Sequence, residues 1–238
     1  MNPDSTVMTK NLLYQFEQGF LTEAQIRTVT GFQPTELAKL IEDGYLNARK
    51  SYFDDLTLYF PTRKAHQYLK EQNIKVYVQC LKRPPAKNEL HDRRLTDIRI
   101  LFEQMGYPEW QSEKCLHQRG MSKVRPDAIL SLGRRKVAIE LEMSGKGSKQ
   151  YEKRFHFYAD HPAIDGVLYI VATPEQRKRL HELARGYRKI YFVLLRNLTE
   201  YRQNAYVERS GFPGAVQLWK FFEAIKCYKQ GGSHIWNK

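Results

Sequence analysis

Between residues 126 and 195, four apolar runs alternate with polar ones, and no other feature constrains the fold as tightly. The runs are 126–132 (PDAILSL), 136–143 (KVAIELEM), 166–172 (GVLYIVA) and 189–195 (KIYFVLL). Each has the length and the β-branched or aromatic content of a strand. Gly133-Arg134-Arg135 turns the first two into a hairpin. The intervals 149–160 and 174–185 read as helices. In the first of them Tyr151, Phe155 and Tyr158 stand at i, i+4 and i+7, the spacing of a core stripe. A helix at 89–105 puts Leu95, Ile98, Leu101, Phe102 and Met105 on one face. Another at 215–228 carries Trp219, Phe221 and Phe222, which read as core. This order predicts an α/β fold with a mixed central sheet.

The first seventy-odd residues differ. Helices are expected over 9–18, from Thr22 (its N-cap) to Gly31, and over 33–43. Two strand-like runs follow, Tyr45 to Ser51 and Thr57 to Phe60, with Phe53-Asp54-Asp55 as turn material. A helix over 62–72 closes the segment. The prolines of Lys82-Arg83-Pro84-Pro85 interrupt any helix, so the chain divides into a domain over 1–75, a linker over 76–88 and a domain over 89–238. Helix, helix, helix, hairpin, helix resembles a winged helix-turn-helix. That resemblance implies DNA contact through Lys39 on the third helix and Arg49 and Lys50 on the hairpin. Glu36, Glu42, Asp43, Asp54 and Asp55 lie among them, and the alternative is a winged helix used for protein contact or dimerisation.

Charge points to a polyanion. Residues 1–75 carry nine basic and nine acidic side chains, whereas 76–238 carry 30 basic and 17 acidic, the whole net charge of +13. Nucleic acid is the expected partner of such a surplus. No apolar run approaches the ~20 residues of a membrane span, and MNPDSTVMTK has no apolar core of a secretory signal. Three widely spaced cysteines make neither a disulfide scaffold nor a CxxC zinc site. A cytoplasmic protein without a membrane partner is expected.

The residues that carry chemistry are Arg125-Pro126-Asp127 and, twelve residues on, Glu140-Leu141-Glu142. On a strand, Val137, Ile139, Leu141 and Met143 share the core face, and Ala138, Glu140 and Glu142 share the other. The hairpin brings Asp127 toward Glu140. Carboxylates converging at a sheet edge are hard oxygen ligands, suited to Mg²⁺ or Mn²⁺. Lys123 and Arg125 before the cluster, and Lys146, Lys149, Lys153 and Arg154 after it, form a basic rim that would bind phosphates. Acid within such a rim suits metal-assisted phosphodiester cleavage, with Lys149 steadying charge on the phosphate. The alternative is that Glu140 and Glu142 face solvent on an edge strand, paired with Arg134, Arg135 or Lys136.

Pro126-Asp127 and Glu140 resemble the PD-(D/E)xK nuclease superfamily, with Glu142 where that superfamily has Lys. Lys146 or Lys149 could supply the missing cation. With the preceding winged helix, RPDAIL and VAIELEMSGKGSKQYEKRFHFY resemble the replication-relaxation proteins and the related MobC-type plasmid mobilisation relaxases. The resemblance implies a nickase cutting one strand at the transfer origin of a plasmid or integrative element, working with accessory mobilisation and coupling proteins. Asp127, Glu140 and Glu142 would be its metal ligands, and Lys149 would join them in catalysis. Two rivals stand beside it. One is a non-catalytic replication or transcription regulator with a degenerate nuclease core, and the other is a general repair or defence endonuclease.

Overall fold

In a computed structural model of the protein, which describes residues 5–76, 85–118 and 124–227, the chain forms two compact units. Met1–Ile100 with Lys114–Gly120 make the first, and Leu101–Glu113 with Met121–Lys238 the second.

The first unit opens with α1 (Ser5–Gln18), which starts a turn earlier than the sequence suggests. A two-residue strand, β1 (Leu21–Thr22), leads into α2 (Glu23–Thr30). Thr22 caps α2 in a reciprocal box. Its Oγ accepts the Gln25 N–H at 3.3 Å, and its own N–H donates to the Gln25 side chain at 2.9 Å. Such a box is worth about 1 kcal/mol. Then come α3 (Pro34–Glu42), the antiparallel pair β2 (Leu46–Lys50) and β3 (Thr57–Pro61), and α4 (Arg63–Glu71). β1 also pairs with β3, so the hairpin is part of a three-stranded sheet. Leu12, Phe16, Ile26, Leu37, Leu40 and Leu69 are buried between these elements.

The next helix, α5 (Ala86–Gln104), supplies residues to both units. Of the segment 76–88 read as a linker, residues 77–84 lie outside the described residues, and Ala86 already begins this helix. Glu89 of α5 is fully buried and accepts the Ser51 hydroxyl at 2.5 Å and the Tyr52 N–H at 3.2 Å. It anchors the turn between β2 and β3. The chain continues through β4 (Trp110–Ser112) and α6 (Glu113–Gln118). Lys114 returns to the first unit, donating to the Gln18 carbonyl at 2.5 Å and pairing with Asp92 at 3.2 Å.

The second unit realises the alternating pattern. β5 (Ala128–Leu132) and β6 (Arg135–Glu142) form the expected hairpin. Gly133 at its turn has φ +64°, a left-handed conformation that glycine adopts without a Cβ penalty. There follow α7 (Ser148–Asp160), β7 (Gly166–Val171), α8 (Pro174–Leu183), β8 (Ile190–Leu194), α9 (Leu195–Tyr201), β9 (Tyr206–Arg209), β10 (Ala215–Gln217) and α10 (Leu218–Cys227). The seven strands lie in the order β10-β9-β8-β7-β6-β5-β4. β6, β7 and β8 are parallel to one another, and the outer pairings are antiparallel. This is the mixed α/β sheet that the pattern predicts.

Both sheet faces are covered, which explains why every residue of β7 is buried. On one face Phe155 of α7 meets Tyr169, and His181 of α8 meets Phe192. On the other, Phe221 of α10 packs on Tyr191. Gly166 allows that close approach, since a Cβ there would stand 3.2 Å from Ile225. One core assignment is corrected. Leu218, Phe221, Phe222 and Ile225 form the buried stripe of α10, which leaves Trp219 on its outer side, 40% exposed.

Candidate functional site

The site is built on the end of β6 and the helix that follows it. Strand alternation sends Glu140 and Glu142 to the face that α7 covers. Both are only 2% exposed. β6 lies between β5 and β7, so it is an interior strand. This overturns both the sheet-edge placement of the acidic cluster and the alternative of solvent-facing glutamates. Arg135 instead pairs with Asp165 at 2.7 Å.

Asp127 precedes Ala128, whose partner on β6 is Ile139, and so stands across from Glu140. Its Oδ2 accepts the Leu141 N–H at 2.7 Å, which ties the start of β5 to the end of β6. The hairpin thus does bring Asp127 and Glu140 together.

Two cations answer the glutamates. A short loop from β6 into α7 brings Lys146 back to Glu142, Nζ to carboxylate 2.6 Å. From α7, Arg154 Nη1 donates to both oxygens of Glu140, at 2.5 Å to Oε2, and the Tyr158 hydroxyl donates to Oε1. Tyr151, one turn before Arg154, accepts the Lys146 N–H at 3.0 Å.

Burial pushes the Glu140 carboxyl up to about 7, and the negative charge of Asp127 adds to the rise. Arg154, Tyr158 and Lys146 oppose it without cancelling it. Burial together with Glu142 pushes the Tyr151 phenol up to about 12, against the opposing Lys146 N–H. Burial and Glu140 also hold the phenols of Tyr158 and Tyr169 well above their ordinary range. Burial disfavours the charge on Arg154, but Glu140 together with Tyr158, Tyr169 and Asp127 more than offsets it and keeps the guanidinium protonated.

Tyr169 of β7 is in register with Glu140 on the same face. Its hydroxyl is buried and has no hydrogen-bond partner. This contrast with Tyr158 makes a prediction. Tyr158→Phe removes a charge-assisted bond to a buried carboxylate and should cost about 1.5–3 kcal/mol. Tyr169→Phe removes an unsatisfied buried hydroxyl and should be neutral or stabilise by up to about 1 kcal/mol. Urea unfolding of the two variants beside the wild type reads the difference. Equal losses would mean that the two hydroxyls are equivalent.

The rest of the expected rim is dispersed. Lys149 and Lys153 are exposed on α7, and neither makes an ion pair with a described residue. Arg125 lies 3.6 Å from Glu113. Lys123 lies outside the described residues. In the first unit Lys39 faces Asp43 at 4.0 Å, Arg49 is exposed, and exposed Lys50 donates to the Asp55 carbonyl at 2.9 Å. Two contributors escape sequence reasoning. Tyr158 reads as core from its spacing, although its place seven residues after Tyr151 puts it on the covered face. Arg179 of α8, which reads as part of a solvated basic face, donates to the Lys146 carbonyl at 3.0 Å and steadies the loop that carries Lys146.

Asp127, Glu140 and Glu142 supply only carboxylate oxygens, and in kind they fit a hard divalent cation. Among the described residues, however, no three His, Cys, Asp or Glu side chains are gathered to hold one. Arg154 already engages both oxygens of Glu140, and Lys146 engages Glu142. Glu140 would have to part from Arg154 to take up a cation. Searches with protein-family models, among curated proteins and among solved structures found no match to this chain.

Proposed function

We propose that this protein is a DNA nickase of the mobilisation-relaxase kind. It would cut one strand at a transfer origin with Mg²⁺ or Mn²⁺, alongside accessory mobilisation and coupling proteins in the cytoplasm. The observation that carries this reading is the pair of buried glutamates beside Asp127, set against Lys146 and Arg154. Ion pairs in an apolar interior seldom improve stability over a well-packed apolar core, and strongly shifted carboxyls cluster where chemistry is done. The order helix, helix, helix, hairpin, helix in the first unit supports a winged helix for DNA contact. The strand–turn–strand–helix around the acidic residues supports a PD-(D/E)xK-like core.

In this reading Asp127, Glu140 and Glu142 would hold the cation. Bound there, it supplies polarisation of the scissile phosphate and a lowered pKa for the attacking water. The chain's own cations bind and orient the phosphate. Lys146, which reaches Glu142, is better placed than exposed Lys149 to serve where the superfamily has its Lys. Arg179 keeps Lys146 in position.

The test is a supercoiled plasmid carrying a candidate origin, incubated with wild-type protein and Mg²⁺, Mn²⁺ or EDTA. Open circles that need the metal and the origin are the expected result. Metal-dependent nicking without regard to the origin would indicate a general endonuclease. The self-neutralised state of Glu140 favours a second reading, a DNA-binding regulator without cleavage. Retained DNA binding with no nicking on any origin would establish it.

A further inference from the structure

We infer that Arg154 is a shared residue, which binds Glu140 in the free protein and a nucleic-acid phosphate in the complex. DNA binding and release of Glu140 are then one event. The inference rests on the proposed DNA-processing function and adds to it how the acidic site is opened.

Three observations carry it. First, Arg154 uses one nitrogen, Nη1, for both oxygens of Glu140, and no described residue accepts from its Nε or Nη2. A guanidinium has five donors in a planar fork matched to phosphate as well as to carboxylate. Second, the pair is lopsided. The Glu140 side chain is 3% exposed and that of Arg154 is 27% exposed, so a ligand from solvent meets the arginine first. Lys149 and Lys153 stand exposed on the same helix and would bring a polyanion to that side. Third, Tyr169, whose hydroxyl is buried and unpartnered, stands in register with Glu140 on the neighbouring strand. When Arg154 leaves, Glu140 keeps Tyr158 and gains a second donor in Tyr169. Glu140 and a phosphate therefore compete for one guanidinium, and the loser is not stranded.

The competition predicts that disabling Glu140 tightens DNA binding through Arg154 alone. The full chain is titrated with a short fluorescein-labelled duplex in EDTA, which prevents cleavage, and anisotropy gives the affinity. Glu140→Gln, of nearly the same shape, should bind about tenfold more tightly than wild type. Arg154→Met should bind more weakly and lower the slope of log K against log salt by about one, the loss of one phosphate contact. The double variant should bind as Arg154→Met does, because Glu140 acts only by occupying Arg154.

If Glu140→Gln tightens binding as much in the Arg154→Met background as in the wild type, the effect is mere removal of a negative charge and the inference fails. If Arg154→Met changes neither affinity nor salt slope, it also fails, whether or not the Glu140 variant folds. Wild-type protein that does not bind the duplex at all would overturn the inference and the DNA-processing reading together. Binding with additive effects would overturn the inference alone.

Discussion

On the proposed nickase reading, a Glu140→Gln chain should nick supercoiled DNA at background rate, and in any case it should gain stability relative to wild type as the pH rises. The loss of nicking is expected because amide oxygen and nitrogen cannot replace a carboxylate in the acidic set. Removing one preorganised oxyanion-hole donor typically costs about 10²–10³ in rate, and a loss of at least that scale is expected here. The stability effect follows from the Glu140 carboxyl, which is raised from 4.5 in the unfolded chain to about 7 in the folded one. A raised carboxyl favours folding in its protonated form. Its contribution is complete below pH 4.5 and is lost as the pH climbs through 7. The amide of the variant has no proton to lose. Between pH 4.5 and 8 the stability difference should move in favour of the variant by about 3 kcal/mol. Urea unfolding of both proteins across that range measures it, and groups common to both cancel in the difference. A flat difference would mean that Arg154 keeps Glu140 ionised throughout, so that pairing outweighs burial.

Phe155→Ala should destabilise the second unit by about 3–5 kcal/mol. Phe155 is fully buried, and its ring lies 5.6 Å from Tyr169, 5.6 Å from Tyr187 and 6.1 Å from Tyr151. Alanine would open a cavity among three rings that cannot easily close over it. Phe155 also follows Arg154 directly and precedes Tyr158 by one turn, so it seats the helix that grips Glu140. Thermal unfolding should show the loss, and on the proposed nickase reading nicking should fall although no reacting group has been removed. A variant that keeps its melting temperature would place the anchorage of α7 elsewhere.

Local chemistry makes much of this legible from residues alone. The apolar runs of β5 to β8, the left-handed turn at Gly133 and the cap at Thr22 each follow from a few neighbouring residues. β1, β4, β9 and β10 are not legible. They are two to four residues long, too short to show a period, and exist because a longer strand offers them a hydrogen-bonding edge. Trp219 goes astray because an aromatic residue in an amphipathic helix can sit on either side of the stripe that packing selects.

The site divides along the same line. That Asp127, Glu140 and Glu142 lie on one hairpin, with Asp127 across from Glu140, is already written in the order of residues, because strand alternation and a tight turn are short-range properties of the chain. It took the packed molecule to make β6 an interior strand, to lay α7 over its acidic face, and to close Arg154 and Tyr158, fourteen and eighteen residues after Glu140, upon it. Neither residue carries a local signal of that role. Burial on both sides of the sheet is what turns a charged strand into a site, since a carboxylate withdrawn from water must draw its partners from whatever element packs above it.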